Sequence, residues 1–327
     1  MIRLSNKAVW ILVTLPAFLS GCGSSGYISR KAQFSLPQSG QVKVMTFNIR
    51  TRTFIDGFNG WSHRKQMVFD ILADNAADVV GLQEAKTSQL QQIRKALPEY
   101  GMYSAGRSDG LAGGESCPIL YRKSRLSLRK AGTFWFSDTP SVPGTKDWGN
   151  MHPRICSWAY FIENSSGNGF YVYNLHLDNF SQHSREKSIR LLTRQIAGRK
   201  TADPFLIMGD FNMEQSNPAM AFLQTAQAGL LQGIRNVWQL IHPNQNIGTR
   251  HGFDGGYSGP HIDHILICDS IQALDARIDN RQVNGRYPSD HFPVIANVQI
   301  GRSTGPGYTN ITSQNTGVRI SRGLPGV

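Results

Sequence analysis

Cysteine is nearly missing from this chain: four occur in 327 residues, and none is spaced CxxC. That excludes a cysteine zinc site and a disulfide-dense scaffold. Long apolar runs are missing too, since the longest, residues 8–19, is too short to span a bilayer as a helix. No Pro/Gly/Ser-rich linker and no internal repeat interrupts residues 41–300, so one large core is expected there rather than two. Acidic residues are the scarcer charge, 22 against 34 Lys and Arg, for a formal net charge of +12. A basic balance attracts polyanions such as nucleic acid or anionic headgroups over long range, and it says nothing about chemistry.

The ends of the chain are built differently from its middle. Arg3 and Lys7 precede the apolar run, which closes on "LSGC" at Cys22, so residues 1–21 read as a lipoprotein signal peptide. The quartet resembles a bacterial lipobox, in which the cysteine sulfur is lipidated after cleavage; a soluble secretory signal with a chance cysteine is the plainer alternative. Acyl chains on Cys22 would tether the protein outside the cytoplasm, at the outer membrane if the host has one. Removing Arg3 and Lys7 with the signal leaves +10. Residues 22–40 read as a flexible tether and 301–327 as a basic tail carrying Arg302, Arg319 and Arg322. Of the other cysteines, Cys117 and Cys156 both lie near the start of strand-like runs and are a candidate bridge; three buried thiols is the alternative.

Between the ends, apolar β-rich runs recur at 42–49, 77–84, 118–123, 155–163, 169–177, 204–211, 262–268 and 292–300. Several are apolar on both faces, as in sheets covered on both sides. Amphipathic stretches separate some of them. Residues 62–75 open at Ser62 as a cap and align Met67, Ile71 and Leu72, while 184–200 aligns Ile189, Leu192 and Ile196 and stops near Gly198. A hairpin pairing 155–163 with 169–177 through "NSSGNG" argues for antiparallel order. The expected fold is a four-layer α/β sandwich, with two mainly antiparallel sheets face to face and helices outside.

The polar residues at the strand ends carry the chemistry. Asn48, Glu84, His176, Asp178, Asp210, Asn212 and Asp263 occupy such positions, and Asp290 with His291 opens the last strand. Adjacent Asp and His can be an ordinary strand-edge pair; nine such residues at ends of strands are what a hard-metal phosphohydrolase needs. Mg²⁺ takes oxygen ligands, for which Glu84 and Asp290 are suited, and an imidazole held by a carboxylate, as His291 by Asp263, can take a proton from water.

"TFNIR", "GLQEA", "YNLHLDN", "GDFN", "IDHI" and "SDHFPV", in this order, resemble the endonuclease/exonuclease/phosphatase superfamily over about residues 42–300. The resemblance implies Glu84 as principal Mg²⁺ ligand, with Asp290 and Asn48 beside the metal, and Mn²⁺ as an alternative ion. It implies His176 on a phosphate oxygen, Asp210 and Asn212 orienting the attacking water, and His291 as the base, oriented by Asp263. Asn48, Asp178, Glu115 and Arg154 are the expected substrate-binding residues. "GRSDG", "GGESCPILYRK" and "MHPRICSWAYF" resemble a secreted or lipid-anchored bacterial subgroup, in which Glu115 is placed to reach His176 or the substrate. The loop 133–152, with Trp135 and Trp148, is placed either at the site entrance or in the core.

The expected activity is metal- and His-assisted hydrolysis of a phosphate ester, foremost a nuclease-like phosphodiesterase because of the charge. The alternatives are a phosphomonoesterase on sugar or inositol phosphates and, with far less support, a silent membrane-tethered binding module. A monomer is expected, and a sphingomyelin substrate is disfavoured because no exposed aromatic hairpin is visible.

Overall fold

The computed structural model describes residues 39–225, 233–245 and 247–301. The signal peptide, Cys22, the tether up to residue 38 and the tail beyond Gly301 lie outside the described residues. Elements run β1 (Gln41–Asn48), α1 (Trp61–Asn75), β2 (Val79–Gln83), β3 (Ala85–Lys86), α2 (Thr87–Ala96), β4 (Tyr100–Tyr103) and β5 (Glu115–Ser116). There follow β6 (Ile119–Arg122), β7 (Leu126–Trp135), β8 (Ile155–Glu163), β9 (Gly169–His176), α3 (Gln182–Ala197), β10 (Phe205–Asp210) and α4 (Pro218–Thr225). The chain then forms β11 (Arg235–Asn236), α5 (Val237–Ile241), β12 (Asp263–Ile267), β13 (Ile271–Ile278) and β14 (Val294–Ile300).

Two six-stranded sheets result, ordered β13-β14-β1-β2-β6-β4 and β11-β12-β10-β9-β8-β7, with β3 and β5 as a small separate ribbon. Pairing is antiparallel except for β1 with β2 and β9 with β10. Strand alternation sorts the side chains of β1. Val42 and Val44 join the core shared with the second sheet, whereas Met45 and Phe47 join the cluster of α1 and α2, so Asn48 falls on the inter-sheet side. The same period carries Val172 and Asn174 to His176 in β9, and Leu206 and Met208 to Asp210 in β10. The sheets come close at Gly81, where a Cβ would meet the Asn174 side chain at 2.7 Å. There the Asn174 amide donates to the carbonyls of Leu82 and Pro118 and accepts from Gln83 Nε2 at 2.7 Å, a buried polar lock beneath the functional end of the sandwich.

Every strand expected from an apolar run forms: β8 fills its run, β1 is shifted by one residue, and the others are trimmed by one to three. β4, β7 and β13 were not legible because they are half-exposed, and β7 and β13 also shift register, at Leu128/Lys130 and Ala273/Asp275. α3 is capped by Ser181, whose Oγ accepts from Ser184 N. Ser62 does not cap α1; a 3₁₀ turn, Gly57–Asn59, delivers the chain to Gly60, and the helix starts at Trp61 without a side-chain cap. Asp290 and His291 do not open β14, which starts at Val294. They sit in the approach to it, pinned where the carbonyl of Asp290 accepts from His251 N and Thr249 O accepts from Phe292 N.

Cys117 and Cys156 are free thiols. Cys156 points into the larger core, while Cys117 packs with Trp135 and Ile155 in a separate cluster, so the two face different layers. Burial raises both thiols above their ordinary pKa and leaves them inert. Among the described residues, no helix is long and apolar enough to cross a membrane.

Candidate active site

Register brings three strand ends together. Asp210 of β10 lies opposite His176 of β9 on one side and opposite Asp263 of β12 on the other. Asn48 reaches across from the first sheet, where its amide donates to Asp210 Oδ2 at 3.0 Å and to Glu84 Oε1 at 3.1 Å. Its Oδ1 accepts from Arg50 N at 3.0 Å, so Asn48 bridges two carboxylates from different segments with its NH₂ group while its oxygen holds the start of the following loop.

His291 donates from Nδ1 to Asp263 Oδ2 at 2.9 Å, and its Nε2 lies 4.0 Å from Asp210 Oδ2. Thr249 Oγ1 donates to the same Asp263 oxygen at 2.6 Å, while Asp263 Oδ1 is buried without a partner. Burial alone would lower the His291 pKa, but the charge and hydrogen bond of Asp263 outweigh it and raise it. Burial, then the Asp263 charge, raises Asp210. With His291 Nε2 and Asp210 Oδ2 4.0 Å apart and both groups raised, the two titrate as a linked pair, in which a proton is shared rather than owned.

His176 behaves differently. Burial and then the Arg154 charge hold its pKa well below the ordinary histidine range, so the ring is neutral at pH 7 and its 3.6 Å approach to Asp210 is no ion pair. Arg154 Nη1 donates to Nε2 at 3.2 Å, which places the ring proton on Nδ1. The rest of the Arg154 fork is fixed by Asp178 Oδ2 at 3.2 Å and Asn179 Oδ1 at 2.8 Å. Asp178, expected to bind substrate, is fully buried behind Arg154 and also accepts from the amides of Phe180 and Ser181. It positions the arginine.

Glu115, half-buried, pairs with Arg107 Nη1 at 2.7 Å and does not meet His176. Burial raises its pKa above the ordinary carboxylate value. Trp135 is buried and donates from Nε1 to the Arg107 carbonyl at 2.6 Å, while half-buried Trp148 packs against the core and its carbonyl accepts from Ser181 Oγ. Asp290 receives Ser289 Oγ at 3.3 Å and lies 3.8 Å from Arg50 Nη1. Asn212 donates to the Leu177 carbonyl at 3.0 Å.

Arg50, Glu84 and Asn212 have positive φ angles of 53°, 60° and 49°. Three non-glycine residues held in the left-handed region at one site mark backbone positions over-determined by their surroundings.

Glu84, Asp290, Asp210, His291, His176, Asn212, Arg154 and Glu115 all line one cleft of about 650 Å³. Sequence reasoning missed Arg50, Arg107 and Asn179 in the same wall, although each stands inside a quoted motif: "TFNIR", "GRSDG" and "YNLHLDN". The donor set is carboxylate, carboxamide and imidazole without thiolate, which suits a hard divalent cation. Glu84 and Asp290, the expected ligands, both line this cleft, whereas the close group of Asp210, Asp263 and His291, its ligand atoms within 4.8 Å of one another, is tied internally by the bonds of Asp263 to His291 and Thr249.

The profile of the Endonuclease/Exonuclease/phosphatase family matches residues 45–291. Among solved structures, an endonuclease/exonuclease/phosphatase of Bacteroides vulgatus is 29% identical with a TM-score of 0.73, covering 80% of this chain and 99% of that one. A mannosyl-6-phosphatase of Bacteroides thetaiotaomicron is 29% identical with a TM-score of 0.72, covering 79% and 99%. Human tyrosyl-DNA phosphodiesterase 2 is 24% identical over 272 residues, 75% of this chain and 66% of its own length.

Proposed function

Because the chain belongs to the endonuclease/exonuclease/phosphatase family, and is thereby a metal-dependent hydrolase of phosphate esters, we propose that its substrate is a phosphate ester of a sugar or polyol. One observation carries this reading: the Glu115–Arg107 pair in the cleft wall. A carboxylate there accepts from the hydroxyls of a leaving group and opposes a polyanionic strand, while the adjoining Arg107 and Arg154 donate. The similarity to a mannosyl-6-phosphatase supports it. Part of the basic net charge lies outside the cleft-bearing domain, since Arg302, Arg319 and Arg322 belong to the tail.

A divalent ion, Mg²⁺ or Mn²⁺, bound by Glu84 and Asp290 would neutralise charge on the phosphoryl oxygens. Asn48 holds Glu84 and Asp210 in mutual register. Asp210, its carboxyl raised, accepts the proton of the attacking water, and His291 on Asp263 shares that proton and keeps the set charge-balanced. His176, neutral, and Asn212 line the cleft beside Asp210, where they would meet the phosphate oxygens, and Arg154 keeps its fork fixed through Asp178 and Asn179. Lipidation of Cys22 would keep this activity on the cell envelope, with the protein acting as a monomer.

Phosphodiester cleavage is the second reading, favoured by Arg50, Arg107, Arg154 and Arg250 around one cleft. Both are tested by incubating the purified protein, with Mg²⁺ or with EDTA, on a panel of hexose phosphates and on supercoiled plasmid, beside His291→Ala. Metal- and His291-dependent phosphate release with intact plasmid supports the sugar-phosphate reading; nicking without phosphate release replaces it by the nuclease.

A further inference from the structure

A second cavity, of about 520 Å³, lies beside the catalytic cleft. Arg52, Lys65 and Lys86 line it together with Phe54, Trp61 and the start of α1, and no Asp or Glu is among its lining residues. Among the described residues none of the three cations is ion-paired, and Lys86 spends one donor on the Arg52 carbonyl at 3.1 Å. The first turn of α1 adds amides with no side-chain cap and no acidic residue to answer them. Phe54, 97% exposed, stands over this cavity, on the same loop as the exposed Ile55 and Phe58. In water, three clustered cations repel one another, and an exposed phenyl ring gains nothing; a ligand with an anionic group and a carbon face answers both.

The two cavities are continuous along the chain. Arg50 and Thr51 line the catalytic cleft while Arg52 and Thr53 line the second cavity, and Glu84 faces the first while Lys86 lines the second. Thr51 N donates to Glu84 Oε2 at 2.9 Å, which ties these two shared walls to each other.

We propose that this cavity is an anion subsite that takes a second phosphate group of the substrate while the first is hydrolysed at Asp210 and His291. The proposal rests on the sugar- or polyol-phosphate reading and sharpens it: the preferred substrate is a bisphosphate, or a sugar phosphate carrying a further phosphoryl group. The face of the sugar ring would lie toward Phe54.

The test uses the full chain and the double variant Arg52→Ala/Lys65→Ala, with Arg129→Ala/Lys130→Ala on the exposed part of β7 as a control for lost charge. Two charge-assisted contacts are worth at least about tenfold in affinity. KM for a hexose bisphosphate should therefore rise about tenfold in the first variant, with kcat unchanged and with KM for the hexose monophosphate within twofold of wild type. Equal effects on both substrates, or the same effect in the β7 control, would overturn the subsite. Inorganic phosphate is titrated in parallel into metal-free protein by calorimetry. Two classes of site in the wild type, one of them lost in Arg52→Ala/Lys65→Ala and retained in His291→Ala, support the proposal; a titration unchanged by the double variant refutes it. Should no sugar phosphate be cleaved at all, the reading of the catalytic cleft fails while the titration still decides the second cavity.

Discussion

At the scale of single residues, the site is a set of groups whose protonation is fixed by named partners. His291 spends Nδ1 on Asp263, and that carboxylate is held in turn by Thr249. Replacing His291 by Ala should cut kcat by about 10³-fold, within the range for removing a general acid–base group. Asp263→Asn keeps the shape and the Thr249 contact, yet loses the charge that raises His291, so kcat at saturating metal should drop by about 10²-fold; a loss under threefold would mean that Asp263 is only structural. Glu115→Gln keeps volume and removes the acceptor charge beside Arg107. For a hexose phosphate KM should rise by about tenfold, the worth of a hydrogen bond to a charged group, while a substrate with a non-hydroxylated leaving group keeps its KM. Metal binding separates the roles further. Mg²⁺ at a hundredfold its dissociation constant should stabilise the wild type by about 2.7 kcal/mol, read as a higher Tm. Glu84→Gln should abolish that increment.

At the scale of elements, strand ends and helix starts do the positioning. α3 begins at Ser181, whose Oγ caps the helix and also donates to the Trp148 carbonyl. Ser181→Ala should lower stability by about 1–2 kcal/mol, measured by urea unfolding. α1 positions differently, through Arg64, the largest of the fully buried side chains. Its guanidinium donates to the carbonyls of Asn59, Ile49, Arg50 and Pro288, joining the loop after β1 to the approach to Asp290. Burial lowers its pKa to about 10, with the Asp290 charge opposing. No periodicity rule anticipates a charged residue on the buried face of α1, because the rule sorts polar from apolar and Arg64 is buried for its donors.

At the scale of the whole molecule, stability toward acid is set by buried neutral imidazoles. His264 donates from Nε2 to the Met213 carbonyl and accepts at Nδ1 from the Asn236 amide, whose oxygen is fixed by Trp238 N. Both ring nitrogens are thus committed to the neutral form, and burial, followed by the charge of His261, lowers the pKa to about 3. Unfolding frees that histidine to bind a proton near its ordinary value of about 6.5. The sign follows: the unfolded chain carries more protons below pH 6.5, so stability falls as pH falls from there toward 3. At pH 4.5, two units below, the contribution of His264 is about 3 kcal/mol. His264→Gln should therefore flatten the decline of Tm between pH 7 and 4.5, even if it starts lower; an unchanged slope would mean that the ring is already solvated.

The sequence by itself determined what local rules encode. Period-two runs and turn residues located the central strands, and the order of six short motifs located Asn48, Glu84, His176, Asp210, Asp263 and His291. Covalent neighbourhood also placed Asp290 beside His291. Only the tertiary structure decided which polar atoms meet. It paired Asp210 with both His176 and Asp263 through strand register, turned Asp178 inward to hold Arg154, and joined Glu115 to Arg107 rather than to His176. It also kept Cys117 and Cys156 apart in different layers and set a cationic cavity beside the cleft. The meeting of Asp210 with His176 and Asp263 depends on contacts between segments far apart in the chain, and even the local Arg107–Glu115 pair is set by how its loop packs. Periodicity and spacing report which face a residue takes; its partner is fixed by how two sheets pack, and that is a property of the whole core.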